Sequence, residues 1–396
     1  MSFESWRIYP ISDLCDVSSS KRIYRKEYVE SGVPFYRSKE IIKLHNNEKL
    51  NDILYISEER YNELKEKFDA PKEGDILLTS VGTIGVPYIV SANDKFYFKD
   101  GNLTWFRNFS DKLNSIFLYY WLLSPEGRNQ INRITIGSTQ KAITISSLNK
   151  MDILLPSIKE QKAIANILST LDEKIEINNQ INERYKQLAQ ELFKHWFIDF
   201  EFPTENGDPY KSSGGEMFES ELGIIPKGWK VGCLSDLVEV RYGKDHKNLK
   251  EGHIPVYGSG GVIRYVDTAL YTFESVLVPR KGTLNNVMYI NHPFWSVDTM
   301  FYTVMKEQEI AKFIYCFLKT KDLASMNIGS AVPSMTTAIL NKMPIIIQPL
   351  EIINRFNRIL DPIFAHIGLL LEENKRLVEL RDNLLKKLMK GEISVS

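Results

Sequence analysis

The chain has 396 residues, 43% hydrophobic and 25% charged, and its fifty basic and fifty acidic residues cancel. This is the composition of a soluble globular protein of about two to three domains, with no global positive field to announce nucleic acid, so any phosphate binding has to come from local patches. Three scattered cysteines (Cys15, Cys233, Cys316) with no CxxC pair argue against a disulfide framework and a zinc site.

The N-terminal stretch lacks the charged-then-apolar pattern of a signal peptide, and no apolar run approaches the ~18–20 residues that cross a bilayer, so a cytoplasmic protein is expected. Along the chain the dominant feature is a repeat. Ile11-Ser12-Asp13-Leu14 is echoed by Leu234-Ser235-Asp236-Leu237, and Gly32-Val33-Pro34-Phe35-Tyr36 by His253-Ile254-Pro255-Val256-Tyr257, at offsets of 223 and 221. Gly74-Asp75-Ile76-Leu77-Leu78, leading to Gly82-Thr83, meets Glu274-Ser275-Val276-Leu277-Val278, leading to Gly282-Thr283, at offset 200. Ile136-Gly137-Ser138 and Leu148-Asn149-Lys150-Met151 recur as Ile328-Gly329-Ser330 and Leu340-Asn341-Lys342-Met343 at offset 192, which then holds to the end. The offset shrinks because copy one carries extra residues, mainly in 42–73, including a charged, helix-prone stretch at 56–68 without a counterpart.

Each copy begins as β-structure with turns: short β-branched and aromatic runs at 76–81, 86–90, 276–279 and 287–290 alternate with Gly and Asn. An aromatic helix follows (116–123, 312–318), then a glycine-serine loop and a strand ending at Pro156 or Pro349. Beyond each proline the period becomes helical. In copy two, Ile363, Ile367, Leu370, Asn374, Leu377, Arg381, Leu384 and Leu388 step 4-3-4-3, a heptad seam. Copy one runs Leu171, Ile175, Asn178, Asn182, Tyr185, Gln187 or Leu188, Leu192, His195 on a more polar seam. The offset pairs Ile175 with Ile367, Asn182 with Asn374 and Leu188 with Leu380. The two asparagines are either part of a solvated face or a buried polar pair that fixes register and orientation between antiparallel helices. Residues 199–228, rich in Gly, Ser, Pro and charge, read as a surface linker.

Catalytic signatures are missing. There is no GxxxxGK[ST] loop and no HExxH, and His195 and His366 fall in the helices, where packing or capping is the simpler role. Asp361-Pro362-Ile363-Phe364 is close to the base-holding loop of amino-methyltransferases, but its third residue is Ile, which opens the seam. Gly258-Ser259-Gly260-Gly261 reads as a recognition turn; copy one has Arg37-Ser38-Lys39-Glu40 in its place. Polar loops sit at equivalent positions in both copies. In the first they hold Lys21, Arg22, Arg25, Lys26, Arg37, Lys39, Thr79, Ser80, Thr83 and Lys141; in the second, Arg241, Lys244, Lys247, Tyr257, Ser259, Arg264, Arg280, Lys281 and Asn285. Lys and Arg neutralise phosphates, Arg also reads guanine, and Ser, Thr and Asn serve phosphates or adenine edges, so these loops are candidate DNA contacts.

LFKHWFIDFEF at 192–202, Ile225-Pro226-Lys227-Gly228-Trp229, the IPVYGSGGVIRY stretch at 254–265 and RDNLLKKLMKGEI at 381–393 follow one another through the second half of the chain. In that order the chain resembles the specificity subunits of type I restriction–modification systems. The resemblance implies an α+β fold in which two β-rich target-recognition domains (1–155 and 229–348) are separated by two long antiparallel coiled-coil helices (156–198 and 349–396), with 199–228 as linker. It implies a non-catalytic subunit that reads a bipartite double-stranded DNA site. Two modification subunits would dock on the helices, and restriction subunits would join them. S-adenosylmethionine, ATP and Mg²⁺ would be cofactors of those partners, with none in this chain. Ile175, Asn182, Leu188, Leu192, Ile367, Asn374, Leu377 and Leu384 are the expected helix-packing residues. The alternatives are a coiled-coil scaffold whose β-rich domains bind protein, and a self-contained adenine methyltransferase, which would need a cofactor loop absent from this sequence.

Overall fold

A computed structural model describes residues 6–326, 334–393 and 395. The second copy of the glycine-serine loop, at Ile328, Gly329, Ser330 and Ala331, lies outside the described residues. The chain forms two compact units: residues 1–177 with 373–396, and residues 178–372.

Each unit is built on the same strand plan. In the first, a four-stranded antiparallel sheet has the order Asp16–Ser18, Leu103–Arg107, Ile76–Thr79, Pro87–Ile89. In the second, Val238–Tyr242, Met300–Met305, Ser275–Pro279 and Met288–Ile290 repeat that order. A smaller sheet accompanies each, joining Val33–Tyr36 in parallel to Tyr97–Phe98, or Ile254–Gly258 in parallel to Trp295–Ser296. A two-stranded antiparallel pair closes each β-domain, Arg7–Pro10 with Asp152–Leu155 and Lys230–Cys233 with Pro344–Ile347. The internal repeat is thus a repeat of topology. The aromatic helices are Ser115–Leu123 and Ala311–Lys319.

The differences are also structural. Copy one adds the helices Ser38–His45, Glu58–Phe68 and Pro125–Ile134. The first of these stands where the glycine turn of copy two would be, because Glu40 is almost fully buried and bonds back to Arg37, both at its backbone N–H (2.8 Å) and its guanidinium (2.7 Å). Burial opposes ionisation of Glu40, but the hydrogen bonds and charge of Arg37 outweigh it and hold the carboxyl below its ordinary range.

Two 40-residue helices, Ile158–Phe197 and Leu350–Met389, each contribute to both units. Ser157 starts the first by accepting from the Glu160 backbone N–H at 3.3 Å, a side-chain cap for an orphan donor. Buried Gln161 then accepts from Asn114 N and donates to Lys112 O and Pro156 O, tying the helix to the β-domain. Within each unit the helix halves pack antiparallel. In the first, Lys174 meets Glu373 and Asp172 meets Arg381 (2.7 Å), while Asp172 also accepts from the Tyr120 hydroxyl at 2.7 Å. In the second, Tyr185 meets His366, and Phe193, Trp196 and Phe197 surround Phe356.

Asn182, Asn374 and Ile367 are buried, and Ile175, Leu192, Leu377 and Leu384 are half-buried. Leu188 is a correction: it is exposed, as is His195, because the seam runs from Tyr185 to Ala189, Leu192 and Trp196. Ala189 offers too little apolar bulk to draw a hydrophobicity count away from its larger neighbour. The supposed surface linker is partly core. Phe200, Phe202 and Ile225 are buried, Phe202 stacks between Tyr210 (4.5 Å) and Trp229 (5.1 Å), and Met217–Ser220 pairs with Gly223–Pro226. Asp361 and Pro362 lie within the second helix, and Asp361 pairs with Lys312 at 3.1 Å.

Phe356 is fully buried at the centre of the second unit's aromatic cluster. Phe356→Ala should remove about 3–5 kcal/mol from that unit by the transfer and cavity terms together. Hydrogen exchange should speed across residues 178–372 and leave the sheet of residues 16–107 protected, since the units hold separate cores.

Candidate nucleic-acid interface

One loop is built twice. Strand Ile76–Thr79 leads into a turn that Gly82 (φ 81°) and Gly85 (φ 80°) bring back to Pro87–Ile89; strand Ser275–Pro279 leads into its counterpart through Gly282 (φ 83°). The left-handed backbone at Gly82 and Gly282 is one that side-chain-bearing residues rarely adopt. Each loop is anchored to the segment that precedes the long helix: the Ile143 N–H donates to Ser80 O and the Met335 N–H to Arg280 O, both at 2.9 Å. Bridges Val81–Ala142 and Lys281–Ser334 extend the two joints.

In the first unit the Gly82 N–H donates to Lys141 O at 3.1 Å, which sets exposed Lys141 beside exposed Thr83. Thr79 and Ser80 are corrections. Both are buried: Thr79 Oγ1 accepts from the Val86 N–H, and Ser80 Oγ shares a hydrogen bond with Thr104 Oγ1 while donating to Leu78 O. They brace the loop from inside and have no face for DNA. Lys21 lies over the Phe68 ring at 4.7 Å, Arg22 pairs with Asp100 at 2.9 Å, and Arg25 and Lys26 are exposed on a short turn. Arg37 serves Glu40, and exposed Lys39 lies 3.5 Å from the same carboxylate.

In the second unit more of the expected residues converge. The Arg280 guanidinium lies over the Tyr242 ring at 5.4 Å, and Tyr242 packs edge-on against Phe301. Gly243 follows because a Cβ there would come within 2.0 Å of Val297 O. Exposed Lys244 is then held by its backbone, which donates to Ser296 O and accepts from Trp295 Nε1. Ser259 O accepts from Asn286 Nδ2 at 2.8 Å, and Ser259 Oγ occupies the space that a Cβ on Gly282 would need. Tyr242, Ser259, Arg280 and Gly282 are thereby linked, with exposed Lys281 and Thr283 on the same loop.

Other expected contacts are engaged internally. Arg264 donates to Leu249 O, Asn285 bonds Asp322 and the Ala324 N–H, and Arg241 pairs with Glu239. Tyr257 shares a hydrogen bond with His292, and burial pushes its phenol up to about 12. Lys247 is exposed on a turn whose backbone bonds Asp245. Tyr242, half exposed under Arg280, was not legible as a site residue; its one sequence cue is its place between Arg241 and Gly243.

These surfaces offer cations, hydroxyls and an aromatic face, the chemistry of phosphate and base-edge contact. Burial pushes the Cys15 thiol up to about 12 and raises that of Cys316 as well, which keeps both protonated and unreactive. Among the described residues no helix is long and apolar enough to cross a membrane.

Comparison with known proteins agrees with this geometry. The family model of the type I restriction modification DNA specificity domain matches residues 4–187 and 226–380. The type I restriction enzyme MjaIX specificity subunit of Methanocaldococcus jannaschii is 28% identical, over 99% of this chain and 94% of that protein. The HindI specificity subunit of Haemophilus influenzae is 26% identical, over 82% and 87%. In structure, the type I restriction–modification S subunit from M. genitalium superposes with a TM-score of 0.58, at 21% identity over 97% of this chain and 96% of that one. A match of this extent does not favour the protein-binding scaffold: the chain belongs to the DNA specificity subunits of type I restriction–modification systems, and is the non-catalytic subunit that supplies sequence recognition.

Proposed function

We propose that each unit reads one half of a bipartite duplex site, and that the chain thereby directs adenine methylation or cleavage by partner subunits. The observation that carries this reading is the loop built twice on the same backbone joint with different side chains around it. Thr83 and Lys141, with Lys21, Arg25, Lys26 and Lys39, serve the first half-site. Ser259, Arg280 and Lys281, with Lys244 and Lys247, serve the second. The lysines neutralise phosphates, and Arg280, steadied on Tyr242, is the candidate for a guanine edge.

Two modification subunits would dock on the long helices. Ile177 and Leu380 in the first unit, and Leu188 and Leu369 in the second, are exposed aliphatic positions related by the 192-residue offset. That gives each unit an equivalent pair of exposed aliphatic positions, as a matching partner on each would require. S-adenosylmethionine would belong to those subunits, and ATP and Mg²⁺ to restriction subunits that join them. A DNA target and three unpaired thiols fit a cytoplasmic location.

Lys141→Ala and Lys281→Ala should each weaken binding of the assembled complex and lower its log–log salt slope by about 0.9, the signature of one lost phosphate contact. Titrations across a salt series measure this directly; an unchanged slope removes that lysine from the interface. Leu188→Asp with Leu369→Asp should cost one bound modification subunit, read by light scattering of the complex, with circular dichroism unchanged because both sites are exposed. Inserting one heptad into each long helix, which keeps the seam in phase, adds about 10.5 Å. At about 3.4 Å per base pair, methylome sequencing should then show a spacer about three base pairs longer between unchanged half-sites. Altered half-sites with the old spacer would contradict the reading.

A further inference from the structure

The second unit carries an exposed apolar tip that the contacts above leave unused. Strands Ile254–Gly258 and Gly261–Val266 form a hairpin, and the second and third residues of its returning strand, Val262 and Ile263, are 45% and 53% exposed. The pairing slips here, with Tyr257 opposite Val262 and Val256 opposite Arg264, so Ile263 is the extra residue of a β-bulge and the tip carries two consecutive exposed aliphatic residues. Gly260 has no heavy atom near the position of a Cβ, and Gly258 packs against the Ile263 side chain, which leaves the tip thin.

The tip is also held in place. Asn286 Nδ2 donates to Ser259 O, and Ser259 sits against Gly282, so the tip and the loop bearing Arg280 and Lys281 form one surface. In the first unit the corresponding strand, Val33–Tyr36, runs instead into the helix Ser38–His45, whose start is closed by the Arg37–Glu40 pair. Among the described residues the apolar tip belongs to the second unit alone.

Resting on the half-site reading above, we propose that Val262 and Ile263 form a wedge that enters the base stack in the second unit's half-site, unstacking one step and bending the duplex there. Aliphatic wedges flanked by cations are a recurring means of kinking DNA: the flanking charges hold the backbone while the apolar groups replace part of the lost stacking. Two consecutive exposed β-branched side chains on a glycine-thinned, anchored tip provide that shape, with Lys281 as the flanking charge. The first unit then reads an unkinked half-site.

The test uses the chain assembled with its modification subunits on the duplex that methylome sequencing identifies. The second unit's half-site is the one that persists when residues 1–155 are exchanged for those of a relative. 2-Aminopurine replaces, one at a time, each adenine other than those methylated. The expected result is a rise in fluorescence at one step of the second half-site, with a bend of about 20–90° in circular-permutation gels. Val262→Ser with Ile263→Ser should lose both signals, whereas Val262→Ile with Ile263→Leu should keep both. An unchanged half-life on limited proteolysis shows the serine variant to be folded. The wedge is overturned if the wild-type complex shows no rise outside the methylated positions, or if the folded serine variant keeps the rise and the bend. Loss of affinity on replacing thymine by deoxyuridine, without rise or bend, would assign the pair to thymine methyl groups and also overturn it. Absence of any two-part methylated motif is a different result: it removes the half-site reading itself, and the wedge with it.

Discussion

Neither unit can close its core with the residues of one repeat. The first unit's core gathers Ile164, Ala165 and Leu168 from the first long helix and Leu385, Leu388 and Met389 from the second, although more than 200 residues separate them. The second buries Phe193, Trp196 and Phe197 against Phe356 and Leu360. Burying such side chains from water stabilises by about 1.5–3 kcal/mol each, so these borrowed residues are a large part of what holds each unit together. Each β-domain is packed on a wall made by both helices, and the helix seam is a condition for both cores.

That dependence explains which positions the repeat keeps constant. The 192-residue offset holds from the segments that brace the recognition loops through the strands and the helices, where the same backbone joints and strand pairings recur. Upstream the offset drifts, since copy one adds helices such as Ser38–His45 and Glu58–Phe68 and a fourth strand in its smaller sheet, while the other four-stranded sheet keeps its strand order. The loops at Gly82 and Gly282 lie where the two regimes meet: a backbone hydrogen bond to the constant frame positions side chains that are free to differ.

Much of this was legible in the sequence, because repetition and heptad spacing report packing directly. What was not legible had specific physical causes. Thr79 and Ser80 look like contact residues by chemistry, but a hydroxyl can serve a loop from within as well as from without, and only burial separates the two. Leu188 and Ala189 differ in apolarity in the direction opposite to their burial. The stretch at 199–228 has the composition of a linker, yet Phe200, Phe202 and Ile225 give it a core of its own. At Arg37–Glu40 the absence of glycine was visible, while the helix that replaces the turn depended on a carboxylate whose burial is offset by its partner.

Each β-domain is closed by a pair of strands that lie side by side, Arg7–Pro10 against Asp152–Leu155 and Lys230–Cys233 against Pro344–Ile347. The polypeptide therefore enters and leaves each reading module through a single doorway, and everything that sets sequence preference lies between two adjacent points on the frame. Exchange of the residues between those two points would replace a whole β-domain and leave both long helices unchanged in sequence.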